Sequence, residues 1–188
     1  HWQMRAVLDF RGEARGGGGE FKLTSMHPLR GEKGQIREGG IRVPCIFRWK
    51  GTIQEKQVSR TPIISNDFFP TMLSLAGLSV KKDNPVDGMD ITELLKGGTI
   101  DRNQITWFMP HYMKSGEGLA SSAAIRAGDY KLLKLFEGGG ELYNLKDDIG
   151  EKNDLSKSNP ELFNKLDDAL MAELRSQNAH FPIKNKNY

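Results

Sequence analysis

The sequence holds a single cysteine, Cys45, in 188 residues. No internal disulfide can form, and a cysteine-based metal cluster is excluded with it. Long apolar runs are missing too: nothing approaches the roughly 20 consecutive apolar residues of a membrane-spanning helix. No signal-peptide pattern stands at the start. An RNP-like aromatic motif, zinc-ligand spacing and a basic heptad helix are all absent, which removes the usual grounds for a nucleic-acid partner. No repeat with a period of about 20 to 50 residues is present, which argues against solenoids and propellers. Apolar residues make up only 37% of the chain, below the usual share for a compact domain. With the chain beginning at His1, the expectation is a core completed in part by sequence outside this one.

What is present is unevenly charged. Residues 1–60 carry twelve Lys and Arg against six Asp and Glu, a local +6, while the remainder carries fifteen against eighteen, a local −3; together they give the +3 of the whole chain. A basic first third suits an anionic partner, and on charge alone it equally reads as a solvated surface.

Residues 1–23 contain the run Gly16-Gly17-Gly18-Gly19 and read as a linker or chain end without assigned chemistry. Residues 26–40 are polar, glycine-rich and free of any period, so they read as a loop, and long loops in compact domains are where function concentrates. Ile41 to Trp49 is apolar between glycines and predicts a buried strand, with Cys45 as an inert buried thiol. Ser65-Asn66-Asp67 predicts a cap for a helix to about Ala76 with Phe68, Met72, Leu75 and Ala76 on one face. A short helix is expected around Thr92 to Leu95. After Asp101 the texture changes to short alternating runs: Gln104–Met109, Ala123–Arg126, Tyr130–Phe136 and Glu141–Asn144, with a tight Gly128-Asp129 turn between the second and third. These predict a small antiparallel sheet. Pro160 opens a helix to about Ser176, and its stripe of Leu162, Leu166, Ala169, Leu170 and Leu174 is placed to cover one sheet face. The expected organisation is 1–23 unassigned, 24–100 ending an α/β domain, and 101–188 an antiparallel-sheet subdomain with a helix. Within the chain the class is α+β.

Four ordered segments resemble the sulfatase family of the alkaline-phosphatase-like superfamily. They are Pro28-Leu29-Arg30-Gly31-Glu32-Lys33-Gly34 continuing through Glu38-Gly39-Gly40-Ile41-Arg42-Val43-Pro44; Asp67-Phe68-Phe69-Pro70-Thr71-Met72-Leu73-Ser74-Leu75-Ala76-Gly77; Asp87-Gly88-Met89-Asp90; and Ala124-Ile125-Arg126-Ala127-Gly128-Asp129-Tyr130-Lys131-Leu132 with Glu141-Leu142-Tyr143-Asn144-Leu145 and Gly150-Glu151-Lys152-Asn153-Asp154-Leu155. The first is the most specific. The resemblance implies the C-terminal portion of an α/β sulfatase, a sulfuric ester hydrolase acting on sulfated carbohydrate or aryl sulfate esters. It implies a formylglycine nucleophile beside Ca²⁺, and a periplasmic or secreted location.

By the same resemblance Lys33 matches the lysine that contacts the sulfate, and an ammonium with three donors suits a tetrahedral oxyanion. Arg30 is read mainly as packing the loop, with anion contact as its alternative. His111, in Pro110-His111-Tyr112, is a candidate for the sugar subsite, and the preceding Trp107 and Phe108 either pack the sheet or stack on a sugar. His27 is a weaker candidate of the same kind. Glu38 and Arg42 are expected to hold the loop against neighbouring strands, and Gly39 and Gly40 to serve backbone geometry.

The family pattern also breaks off. The nucleophile motif, Cys or Ser followed by x-Pro-x-Arg, is not in the sequence: Cys45-Ile46-Phe47-Arg48 lacks the proline. The acidic pairs that hold the calcium are not matched, so metal ligands and nucleophile are expected outside this chain and the fragment alone is expected to be inactive. Two other readings stay open: an anionic-glycan-binding module that does not cleave, and a phosphoester or phosphonate hydrolase of the same superfamily.

Overall fold

A computed structural model describes residues 25–81, 83, 85–111 and 121–183. They fall into two compact units, one formed by residues 44–102 and the other by residues 25–43 together with 103–183. The 25–43 loop, grouped by sequence with residues 44–100, therefore packs with the sheet.

That second unit is built on four antiparallel strands in the order β1-β2-β3-β4: Ile105–Met109, Ser122–Ala127, Tyr130–Leu135 and Gly140–Asn144. The β2–β3 connection is the two-residue Gly128-Asp129 turn, with Ala127 paired to Tyr130, and Gly128 takes a φ of 57° that a glycine adopts without strain. Alternation sends Ala123, Ile125, Leu132 and Leu142 to one face. The helix α4, Pro160–Ser176, covers that face with Leu166, Leu170 and Leu174. Its start follows from Asn159, whose side chain accepts the Leu162 N–H at 3.3 Å, and from a proline in the first turn. Lys134 pairs with Asp167 at 2.7 Å at the helix margin. The opposite face presents Ala124 and Leu133, over which Ile36 packs together with Trp107, Met109 and Leu135. The sheet, its strands and its covering helix are those predicted.

The unit of residues 44–102 carries a 3-10 turn at Ser65–Asp67, then α2 (Phe68–Leu75) and α3 (Thr92–Leu95). Asp67 is wholly buried and accepts the Ile64 N–H at 2.8 Å, the Met89 N–H at 2.9 Å and Arg102 at 2.6 Å. Thr71 donates to the Asp67 carbonyl and accepts the Ile91 N–H. These polar bonds decide which side of α2 faces inward. Pro70 and Thr71 are its buried residues, whereas Met72 and Phe69 are exposed. The apolar stripe predicted for this helix is thus not its buried face.

Residues 41–49 form no strand. Ile41 ends α1 (Glu38–Ile41), a single turn inside the predicted loop, and the chain beyond it is irregular. A strand needs a neighbour, and among the described residues none pairs with this segment. Val43 and Ile46 are consequently exposed, and so is Cys45, contrary to the buried thiol predicted. Partial desolvation raises the Cys45 pKa, which favours the inert thiol over the reactive thiolate.

Candidate functional site

The loop of residues 25–43 lies across the sheet face opposite α4, and it is fastened by charge. Lys131, on β3, points from the sheet into the loop. Its ammonium donates to Glu38 Oε1 and to Glu151 Oε1, both at 2.9 Å, and lies 5.9 Å from the centre of the Trp107 ring. The Lys131 and Glu151 side chains are 0% exposed and that of Glu38 is 2% exposed. Arg42 closes the group from outside by pairing with Glu38 through its Nε. Two cations thus meet two carboxylates, which is the condition for keeping charges buried. Burial alone would raise the Glu38 carboxyl, but the charge of Lys131 and the bonds from Lys131 and Arg42 hold it below the usual carboxylate range.

A second group lies beside the first. Arg37 grips Glu141 with both terminal nitrogens, at 2.6 and 3.1 Å, the forked geometry a guanidinium makes with a carboxylate. The Tyr143 hydroxyl donates to Glu141 at 2.9 Å and accepts from Arg30 at 3.2 Å. Burial, and then the neighbouring Glu141, push the Tyr143 hydroxyl up to about 12. Burial would raise Glu141, yet the bonds from Arg37 and Tyr143 keep it low.

Close backbone packing completes the loop. Gly39 donates its N–H to the Arg30 carbonyl at 2.7 Å, and a Cβ at Gly39 or Gly40 would run into the loop's own carbonyls, those of Gly31 and Gln35 respectively. Only glycine fits there, as the sequence predicts.

The predicted site residues take different places within this frame. Arg30 is half-buried, donating to the Tyr143 hydroxyl and to the Glu151 carbonyl at 3.1 Å, contacts that match its packing role. Glu38 does bind a neighbouring strand, through Lys131, while among the described residues Arg42 reaches the sheet by way of Glu38. Lys33 is exposed at the turn and has no hydrogen bond or ion pair among the described residues. His111 is exposed just beyond β1 and shares no bond with the loop among the described residues. Its neighbour Tyr112 lies outside the described residues. Trp107 packs under the loop and Phe108 against Phe136 and Phe181, with ring centres 5.8 and 5.9 Å apart, so both rings pack the sheet. His27 is exposed, its N–H donating to Ser25 Oγ. Among the described residues no group of three or more His, Cys, Asp or Glu could hold a metal ion.

Lys131, Glu141, Tyr143 and Glu151 stand in the family-like segments, but the sequence assigns them no role. One signal was available: Lys131 stands in Tyr130-Lys131-Leu132-Leu133, where a sheet covered on both faces leaves no solvent for an ammonium. Such a lysine requires a buried carboxylate partner.

Residues 32–180 match the family model for the C-terminal part of N-sulphoglucosamine sulphohydrolase. A sulfatase of Formosa agariphila is 35% identical over 185 residues, covering 90% of this chain and 34% of that protein. The steryl-sulfatase of Mus musculus is 40% identical over 87 residues, 46% of this chain and 13% of its own length. Among solved structures, Ps i-CgsB, crystallised with k-i-k-neocarrahexaose, aligns with a TM-score of 0.68 at 30% identity, covering 78% of this chain and 32% of that one. A Bacteroides fragilis structure aligns at 0.57 and 21% identity, a likeness of fold alone. The chain spans about a third of the length of the Formosa relative and of Ps i-CgsB.

Proposed function

Since this chain belongs to the sulfatase family, matching its C-terminal part, we propose that it completes a sulfuric ester hydrolase in which Lys33 contacts the sulfate of the substrate. One observation carries the reading. The loop offers four cations, and three of them are engaged internally: Arg30 with Tyr143 and Glu151, Arg37 with Glu141, Arg42 with Glu38. Lys33 is exposed, and no described residue takes up its charge. A frame bonded to the sheet thus carries an uncommitted ammonium at the position that resembles the family's sulfate-binding lysine.

When a sulfate ester is cleaved, negative charge grows on the departing oxygen and persists on the sulfate oxygens. An ammonium held near that charge lowers its energy. The hydrolytic nucleophile and the calcium that the resemblance implies would come from chain outside this sequence. A bound calcium would supply charge stabilisation at the sulfate; the described residues offer it no ligand cluster. Sulfated carbohydrate is the substrate class of this reading; the complex of Ps i-CgsB with k-i-k-neocarrahexaose supports its carbohydrate part. Arg30 and His111 remain secondary candidates for touching that substrate. A periplasmic or secreted location belongs to the same reading; among the described residues no helix is long and apolar enough to cross a membrane.

The test uses the intact parent protein and measures sulfate release. Lys33→Ala should lower kcat by about 10² to 10³ with the melting temperature unchanged, because the side chain holds nothing in place among the described residues. The isolated 188 residues should release no sulfate. Full turnover by the variant would remove Lys33 from the chemistry.

A further inference from the structure

We infer that Glu151 is the positioning residue of the lysine loop, a single glutamate that fixes both ends of the segment carrying Lys33; this rests on the reading of Lys33 as the sulfate contact. At one end the Glu151 carbonyl accepts from Arg30 Nη1 at 3.1 Å. At the other its Oε2 accepts the Glu38 backbone N–H at 2.9 Å. Lys33 lies between these anchors. The remaining carboxylate oxygen, Oε1, accepts from Lys131, which also holds the Glu38 side chain. Main chain and side chain of one residue therefore bond both ends of the span from 30 to 38, which the Gly39 N–H to Arg30 carbonyl bond also ties together.

The backbone of Glu151 adds a second, independent observation. Its φ is 51°, in the left-handed region that a glutamate rarely adopts. Such a conformation persists only where its surroundings over-determine it. Asp148 shapes the turn: its carbonyl accepts the Glu151 N–H at 3.2 Å and its Oδ2 accepts the N–H groups of Lys152 and Asn153. The preceding Gly150 lies so close to the loop that a Cβ there would meet the Pro28 carbonyl at 3.0 Å. In this left-handed turn the Glu151 carbonyl meets Arg30 while its carboxylate meets Glu38, the two ends of the loop.

Glu151 touches no reacting atom in this arrangement. It acts through Lys33, and a double-mutant cycle in the intact parent protein separates that role from a merely structural one. Glu151→Gln, nearly isosteric, should lower kcat by about tenfold to a hundredfold through misplacement of the lysine, with KM little changed. Made on top of Lys33→Ala, the same substitution should cost less than about threefold, because the group it positions is gone. Equal losses from Glu151→Gln in both backgrounds would overturn the positioning role while leaving Lys33 in its own. If instead Lys33→Ala alone has no effect, the underlying reading fails, and this inference with it. Should Glu151→Gln not fold, Glu151→Asp goes through the same cycle. It keeps the charge and tolerates a left-handed backbone better, but is one methylene too short to reach Lys131 and Glu38 together.

Discussion

The two faces of the four-stranded sheet are covered by different means. On one, Leu166, Leu170 and Leu174 of α4 lie on Ala123, Ile125, Leu132 and Leu142. On the other, Ile36 of the loop packs on Ala124 and Leu133, and the loop is further held by Lys131, Glu38 and Glu151, with Arg37, Glu141 and Tyr143 beside them. Apolar burial is strong but non-directional, and a helix already has its own shape. A loop without internal periodicity has none, so its position must come from bonds that fix distance and angle. The helix face is therefore held by apolar burial, whereas the ionic bonds of the other face fix where the loop that carries Lys33 lies.

Three experiments probe that difference, beginning with the largest effect. Lys131→Met removes the central cation and leaves two buried carboxylates facing each other, which should cost about 3–5 kcal/mol in urea unfolding. Loss of under about 1 kcal/mol would mean the loop face is held by packing after all. Leu170→Ala, on the fully buried helix stripe, should cost about 3 kcal/mol through its cavity. The loop should keep its hydrogen-exchange protection in this variant as long as the protein remains folded, and a loop that loosens in step with α4 would erase the distinction.

The third effect is local. Glu38 and Glu141 both titrate below the usual carboxylate value in the folded protein. Their contribution is present above that value and is lost as pH falls through the lowered ones. Tyr143, raised to about 12 from 10, contributes fully below 10 and loses its share as pH rises toward 12. Protection of residues 30–41, corrected for intrinsic exchange rates, should therefore fall before that of α4 as the solution is acidified below pH about 4.5. Simultaneous loss at both faces would count against an ionic latch.

Much of this was legible in the sequence where short-range rules apply. The hairpin at Gly128-Asp129, the proline-initiated helix after Asn159 and the turn of Thr92–Leu95 follow from local backbone chemistry, and they stand where predicted. Prediction failed where partners lie far along the chain. Ile41 to Trp49 has strand composition but no strand beside it among the described residues. The buried side of α2 is set by Asp67 and Thr71 bonding to residues 22 and 20 positions away, which no helical stripe reveals.

For the candidate site the division is the same. The sequence alone supplied Lys33 in its glycine-bounded turn, the family pattern around it, and the two glycines that let the loop fold against its own backbone. Only the tertiary structure decided that Lys131 reaches Glu38 across 93 positions and that Glu151 meets the loop from 113 and 121 positions away. The physical reason is that a buried charge must be matched in space, and sequence order carries no measure of that distance.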